Sequence, residues 1–183
     1  MKITKRLLKQ KSACEDGIVN VDTWGLIGLN HCEFINGCMD KDRLDYANWL
    51  IIRLFKTKKQ KTQYAIFAAE QVIEIYENKY PDDDRPRKAI EAAKAYLDRP
   101  TSKNKKAAHA AAYAAHASAA AATAAYAYAY AAAAYAAAYA SAAATAAYAY
   151  AAYASAAYAS HATAAANSTI KKKIIKYGLT LIK

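Results

Sequence analysis

Apolar residues recur at three- and four-residue steps through most of the chain, the spacing of helices with one buried face. Between Asp42 and Phe55, residues Leu44, Ala47, Leu50, Ile51 and Leu54 keep that spacing, with Trp49 beside them, and predict a helix. A polar basic turn, Lys56 to Gln60, follows. Thr62 to Tyr80 carries the clearest stripe: Ala65, Ala68, Ala69, Val72, Ile73 and Tyr76 lie on one face, Glu70, Glu74, Glu77 and Lys79 on the wet edge. Pro81 ends it, because proline donates no hydrogen bond and pushes Tyr80 away from helical angles. Asp82, Asp83 and Asp84 precede Pro86 and open a further helix to about Leu97, with Ala89, Ile90, Ala93 and Leu97 inward. Arg99-Pro100-Thr101-Ser102 reads as the next stop and cap. At the start, residues 3–13 read as a short basic helix held by Leu7 and Leu8. Residues 14–40 read as irregular, since Gly17, Gly25, Gly28 and Gly37 interrupt any long element, while Trp24, Leu26, Ile27, Leu29, Phe34 and Ile35 supply anchors. Asn167-Ser168-Thr169 is expected to cap a last amphipathic helix, Ile170 to Lys183, with Ile170, Ile174, Ile175, Leu179 and Ile182 apolar. Nothing asks for a strand.

Between these elements lies a stretch of another kind. Ala107 to Ala166 holds 40 Ala and ten Tyr among 60 residues, with no charge, Gly or Pro. Alanine has the highest helix propensity, so the run is predicted helical almost throughout. Ala-Thr-Ala-Ala-Tyr-Ala-Tyr occupies 122–128 and recurs at 144–150. At about 100° per residue, Tyr128, Tyr135, Tyr139, Tyr150 and Tyr153 fall on one side, and Tyr126, Tyr130 and Tyr148 roughly opposite. One continuous helix would be about 90 Å long, beyond a compact domain of this size. Two or three antiparallel helices, broken near Ser118, Ser141 and Ser160 where a hydroxyl can cap, are expected instead. The predicted fold is an all-α helical bundle in a single domain, 1–183. It comprises a mixed-composition helical part (1–100), an Ala/Tyr-rich part (101–168) and a C-terminal amphipathic helix (169–183).

Composition sharpens this in three ways. The formal charge is +11, and all 15 acidic residues precede position 107. That balance favours an acidic partner, whether nucleic acid, nucleotide or protein, or serves as solubilising charge. Cys14, Cys32 and Cys38 are odd in number and widely spaced, which suggests a reducing cytoplasm. The Ala run lacks the Leu, Ile, Val and Phe that drive insertion, so no membrane span is expected.

No catalytic constellation stands out, and neither a metal site nor a cofactor is expected. His109 and His116 share a helix face and His161 could approach, but no carboxylate or cysteine stands at ligand spacing. Arg85 and Arg87 flank Pro86 at a helix start, where unpaired backbone N–H groups favour an anion. The competing expectation is that both pair with Asp82, Asp83 and Asp84 or with Glu70, Glu74 and Glu91. Tyrosines Tyr126, Tyr128, Tyr130, Tyr135, Tyr139, Tyr148, Tyr150 and Tyr153 are packing residues by default. Those left exposed would form a good binding surface, because the ring is rigid, amphipathic and loses little entropy on ordering.

Several stretches resemble the immunity-protein-5-like family. They are Met1 to Lys9 with Ala13 to Gly17, Asp45-Tyr46-Ala47-Asn48-Trp49-Leu50, and Tyr64 to Glu70; the most specific is Tyr80-Pro81-Asp82-Asp83-Asp84-Arg85-Pro86-Arg87 through Ala93. The Ala/aromatic tail and Tyr177-Gly178-Leu179 also fit. Members occur in bacteria and their phages, and the resemblance implies a small all-α protein that neutralises something by binding it. The expectation is a non-enzymatic cytoplasmic immunity or counter-defence protein that sequesters a toxin or defence component, with the tyrosines, Arg85 and Arg87 as binding residues. Two alternatives stand beside it: a sponge for an anionic nucleotide or nucleic acid, and a self-associating Ala-rich structural protein. A homo-oligomer is open under each.

Overall fold

A computed structural model describes residues 1–71, 73–119 and 164–182. Among them the chain is all-α, and the one pairing of extended backbone is an isolated antiparallel bridge between Lys2 and Asn30. The helices are α1 (Lys5–Gln10), α2 (Glu15–Thr23), α3 (His31–Asp40), α4 (Leu44–Leu54), α5 (Lys58–Glu70), α6 (Ile73–Lys79), α7 (Arg85–Asp98), α8 (Ser102–Ala119) and α9 (Ala164–Leu181).

Side-chain caps fix where several begin. Asn30 accepts from the Glu33 N–H while Glu33 reaches back to the Asn30 N–H, a reciprocal box at the start of α3. Thr57 and Gln60 do the same for α5, and Thr101 accepts from the Asn104 N–H in the first turn of α8. The basic turn expected over Lys56 to Gln60 is therefore mostly the first turn of α5.

Residues 14–40, expected to be irregular, form α2 and α3. Gly17 and Gly37 lie inside helices, where they allow close packing. A Cβ on Gly37 would run into Leu26 Cδ2, which packs over that point. Only Gly25 and Gly28, at φ 70° and 92°, make the turn between the two helices. The single helix expected from Thr62 to Tyr80 is two, α5 and α6. Buried Ala65, Ala69 and Ile73 keep four-residue spacing across the break, so the apolar pattern reads as continuous. Ser118, expected to mark a break, is helical within α8; Ser141 and Ser160 lie outside the described residues. Asn167, Ser168 and Thr169 lie inside α9, because the alanines before them already supply its first turn.

The core is shared by α3, α4, α5, α7 and α9, with α8 laid along α7. Helix α9 buries Ile174 and Ile175 against α4 and α5, and Phe67 stacks on Tyr177 with ring centroids 4.1 Å apart. Gly178 lets the α9 backbone approach Ile51 and Tyr64. Tyr64 is fully buried and donates its hydroxyl hydrogen bond to Asn48 Oδ1, so the buried polar group on α4 has its partner on α5. The chain start is pinned over the α2–α3 turn: the Ile3 N–H donates to Leu29 O and the Gly28 N–H to Ile3 O, both at 2.8 Å. Among the described residues, no helix is long and apolar enough to cross a membrane.

Candidate functional site

Arg85 and Arg87 emerge at the start of α7, beside the Tyr80–Asp84 turn. Each guanidinium meets a carboxylate through Nε and Nη2. Arg85 binds both oxygens of Asp83, which also accepts from the Arg85 N–H at 3.2 Å. Arg87 binds both oxygens of Glu77 across the turn, tying α7 to α6. That bonded carboxylate raises Arg87 above its ordinary value. Lys88 pairs with Asp84 and Lys94 with Glu70. The helix start expected to attract an anion is therefore already supplied with carboxylates from its own chain; Arg85 pairs with Asp83, one of the expected partners, whereas Arg87 pairs with Glu77, which was not among them. Tyr126, Tyr128, Tyr130, Tyr135, Tyr139, Tyr148, Tyr150 and Tyr153 lie outside the described residues.

A second constellation, not singled out from the sequence, lies where α1, α2, α3 and α4 meet. A cavity of about 270 Å³ opens between Leu8, Val21 and Phe34 on its apolar side and Tyr46, Trp49, Arg43 and Asp45 at its rim; Cys14 and Gly17 complete the α2 wall. Gly17 makes room there: a Cβ at that position would sit 3.1 Å from Cys14 Sγ and 3.7 Å from the Tyr46 ring.

The rim is rigid. Arg43 lies over the Tyr46 ring at 4.1 Å and beside the Trp24 ring at 5.5 Å, a cation–π arrangement. Its Nε and Nη2 donate to the two oxygens of Asp45 at 3.1 and 2.8 Å, and that carboxylate raises Arg43 above its ordinary value. Trp24 meets Tyr46 edge-on at 5.4 Å, and Asn20 Nδ2 donates to the Tyr46 hydroxyl at 2.9 Å. Arg53 covers the outer face of Trp49 at 4.1 Å while donating to the Lys11 and Trp49 carbonyls. Burial lowers Arg53 relative to an exposed guanidinium. The sequence does carry a signal for this cluster: Tyr46, Trp49 and Arg53 stand three and four apart on one helix, so their side chains share a face.

Chemically, the cavity has an apolar floor, aromatic walls and one internally neutralised ion pair. Such an arrangement can hold an uncharged group. Among the described residues there is no cluster of three His, Cys, Asp or Glu side chains suited to a metal ion.

Residues 54–177 match the family described as "Imm-5 like putative immunity protein", well over half of the 183-residue chain. The chain belongs to this family. Tyr64 to Glu70 and Tyr80 to Ala93 fall inside the matched span, with α5, α6, α7 and most of α9. The cavity is built wholly from residues before it, and of its helices only α4 touches the match, through its last residue, Leu54. No curated protein and no solved structure matches the chain.

Proposed function

We propose that the chain is a non-catalytic immunity or counter-defence protein that neutralises a toxin or a defence component by holding it. Membership of the immunity-protein family over residues 54–177 is the observation that carries this reading. Stoichiometric capture asks only for a stable shape and a complementary surface, and an all-α body closed around one core supplies the first. The charge balance of +11 supports an acidic partner surface, since opposite potentials steer and orient encounter.

A second reading, a sponge for an anionic nucleotide, draws on the lysines that lack a carboxylate. Lys59, Lys173 and Lys176 are exposed and form no ion pair among the described residues. Arg85 and Arg87 no longer favour it, because both guanidinium forks are occupied.

Native mass spectrometry of the tagged chain, recovered under mild conditions from cells that carry its target, tests both readings. A protein held at a fixed ratio is the expected result. A bound small anion in its place would support the sponge. Recovery of the chain alone, as a self-associated oligomer that takes up neither, would overturn both and favour a structural role.

A further inference from the structure

We infer that one end of the bundle, where α5 and α8 begin and α9 ends, is a binding face for the phosphate backbone of a nucleic-acid duplex, held without regard to sequence. The inference goes beyond the capture reading above and does not depend on it.

Charge is distributed unevenly along the chain. Residues 46–69 and 99–183 contain 14 of the 26 basic residues and none of the 15 acidic ones, whereas the rest of the chain holds 12 basic and 15 acidic residues. The whole positive excess therefore belongs to these two stretches, and the fold gathers their ends. Gln60 Nε2 donates to Leu181 O at 2.5 Å, which holds the end of α9 at the start of α5. Leu97 and Asp98, at the end of α7, line a hollow with Gln63 and Ile66 of α5, so α8, starting at Ser102, begins near the same place. On these elements Lys56, Lys59, Lys103, Lys173 and Lys176 are exposed and form no ion pair among the described residues. Two carboxylates border them: Glu70, which is paired with Lys94, and Asp98.

Composition favours a polyanion over an acidic protein surface. Stable protein interfaces centre on desolvated apolar or aromatic anchors and are poor in lysine. Among the described residues the exposed large apolar side chains are Met1 and Val19, on other elements, while Ile174 and Ile175 are buried and Phe67 and Tyr177 stack on each other. Phosphates ask for no anchor, since each lysine neutralises one and releases a counterion. The cations also suit the backbone better than the bases: 12 of the 14 are lysines, which are point charges without the arginine fork. Of the two arginines, Arg53 has no carboxylate partner but donates to the Lys11 and Trp49 carbonyls and covers the Trp49 ring; Arg99 is exposed.

The test uses the full chain and labelled 20-base-pair DNA and RNA duplexes of mixed sequence, read by fluorescence anisotropy between about 50 and 200 mM salt. Five phosphate contacts would give log K a slope of about −4.5 against log salt, with duplexes of different sequence bound alike. Lys59→Gln, Lys103→Gln and Lys176→Gln together, one from each helix end, should weaken binding at least about tenfold and reduce the slope to about −1.8. Lys2→Gln, Arg6→Gln and Lys41→Gln remove the same charge from segments that carry carboxylates, and should leave the slope near the parent value. Circular dichroism confirms that both variants keep their helices. Equal losses in the two variants would mean that net charge alone binds the duplex, and overturn the inference. So would failure of both duplexes to bind at about 100 mM salt, or their displacement by poly-glutamate at an equal or lower concentration of charge, which would assign the face to an acidic protein. If the chain captures no protein partner but still binds duplex through these lysines, the immunity reading falls and this inference stands.

Discussion

Replacing Gly178 with alanine sets two effects of opposite sign against each other. Gly178 lies within α9, where exchanging glycine for alanine would by itself stabilise the helix by about 0.8–1.0 kcal/mol. The new Cβ, however, would lie 2.7 Å from Ile51 Cγ2, 2.7 Å from Tyr64 Cε2 and 3.2 Å from Tyr64 Cδ2. Neither neighbour is the loose end of a flexible chain. Ile51 and Tyr64 are both fully buried, and Tyr64 is further fixed by its bond to Asn48 and its ring contact with Phe55. Room must come from α9 moving away from α4 and α5. Overpacking of this kind costs ~1–3 kcal/mol, more than the propensity gain at the middle of that range. The expected net result is a loss of about 1 kcal/mol, or roughly 2–4 °C in Tm for a chain of this length. Thermal and urea unfolding of Gly178→Ala would be compared with Thr180→Ala, an exposed position on the same helix where no clash arises. A Gly178→Ala chain more stable than the parent would refute the close packing of α9 on α4 and α5.

The Tyr64–Asn48 pair gives a second test, because Tyr64→Phe removes the hydroxyl from Asn48 in a buried site and should cost ~1–3 kcal/mol at neutral pH by chemical denaturation. Burial lifts Tyr64 above its ordinary 10.0 and Cys38 from 9.0 to about 12, so the folded chain keeps both protons after the unfolded chain has released them. Stability should therefore be level below about pH 8.5 and fall above it, by roughly 1.4 kcal/mol per pH unit for each such group, and Tyr64→Phe should flatten the alkaline limb. A curve that rises with pH there would contradict the burial of both groups. Arg85→Ala and Arg87→Ala each remove one partner of a partly exposed ion pair, and should lower stability by no more than ~1 kcal/mol while leaving partner capture intact. Loss of capture with an unchanged melt would return those arginines to the binding surface.

Much of the fold is legible in the sequence wherever one apolar stripe is bounded by proline or a capping residue. Helices α4 and α7 follow the spacing of their apolar residues closely, and Pro81 and Thr101 mark real boundaries. Glycine misleads, because one residue serves two purposes. At Gly25 and Gly28 it turns the chain, whereas at Gly17 and Gly37 it lets other groups come near a helix, and only the fold shows which. The break between α5 and α6 hides because the buried spacing runs straight across it. Polar caps mislead in the same way: Asn167-Ser168-Thr169 has the chemistry of a helix start but sits inside α9. At the candidate site, the pairing of Arg85 with Asp83 was foreseeable from adjacency. Glu77 as the partner of Arg87 depends on how α6 folds back toward α7. The cavity joins residues from four helices, and no local spacing brings Leu8, Val21 and Phe34 to Trp49.

Sequestration differs from turnover in how its effect scales with the amount of protein. Increasing quantities of the purified chain, added to extract from cells that carry its target, should deplete the captured partner in direct proportion to the chain added, stopping when partner or chain runs out. Depletion or chemical alteration of a target by chain far below the target's own concentration, continuing with time, would contradict neutralisation by binding.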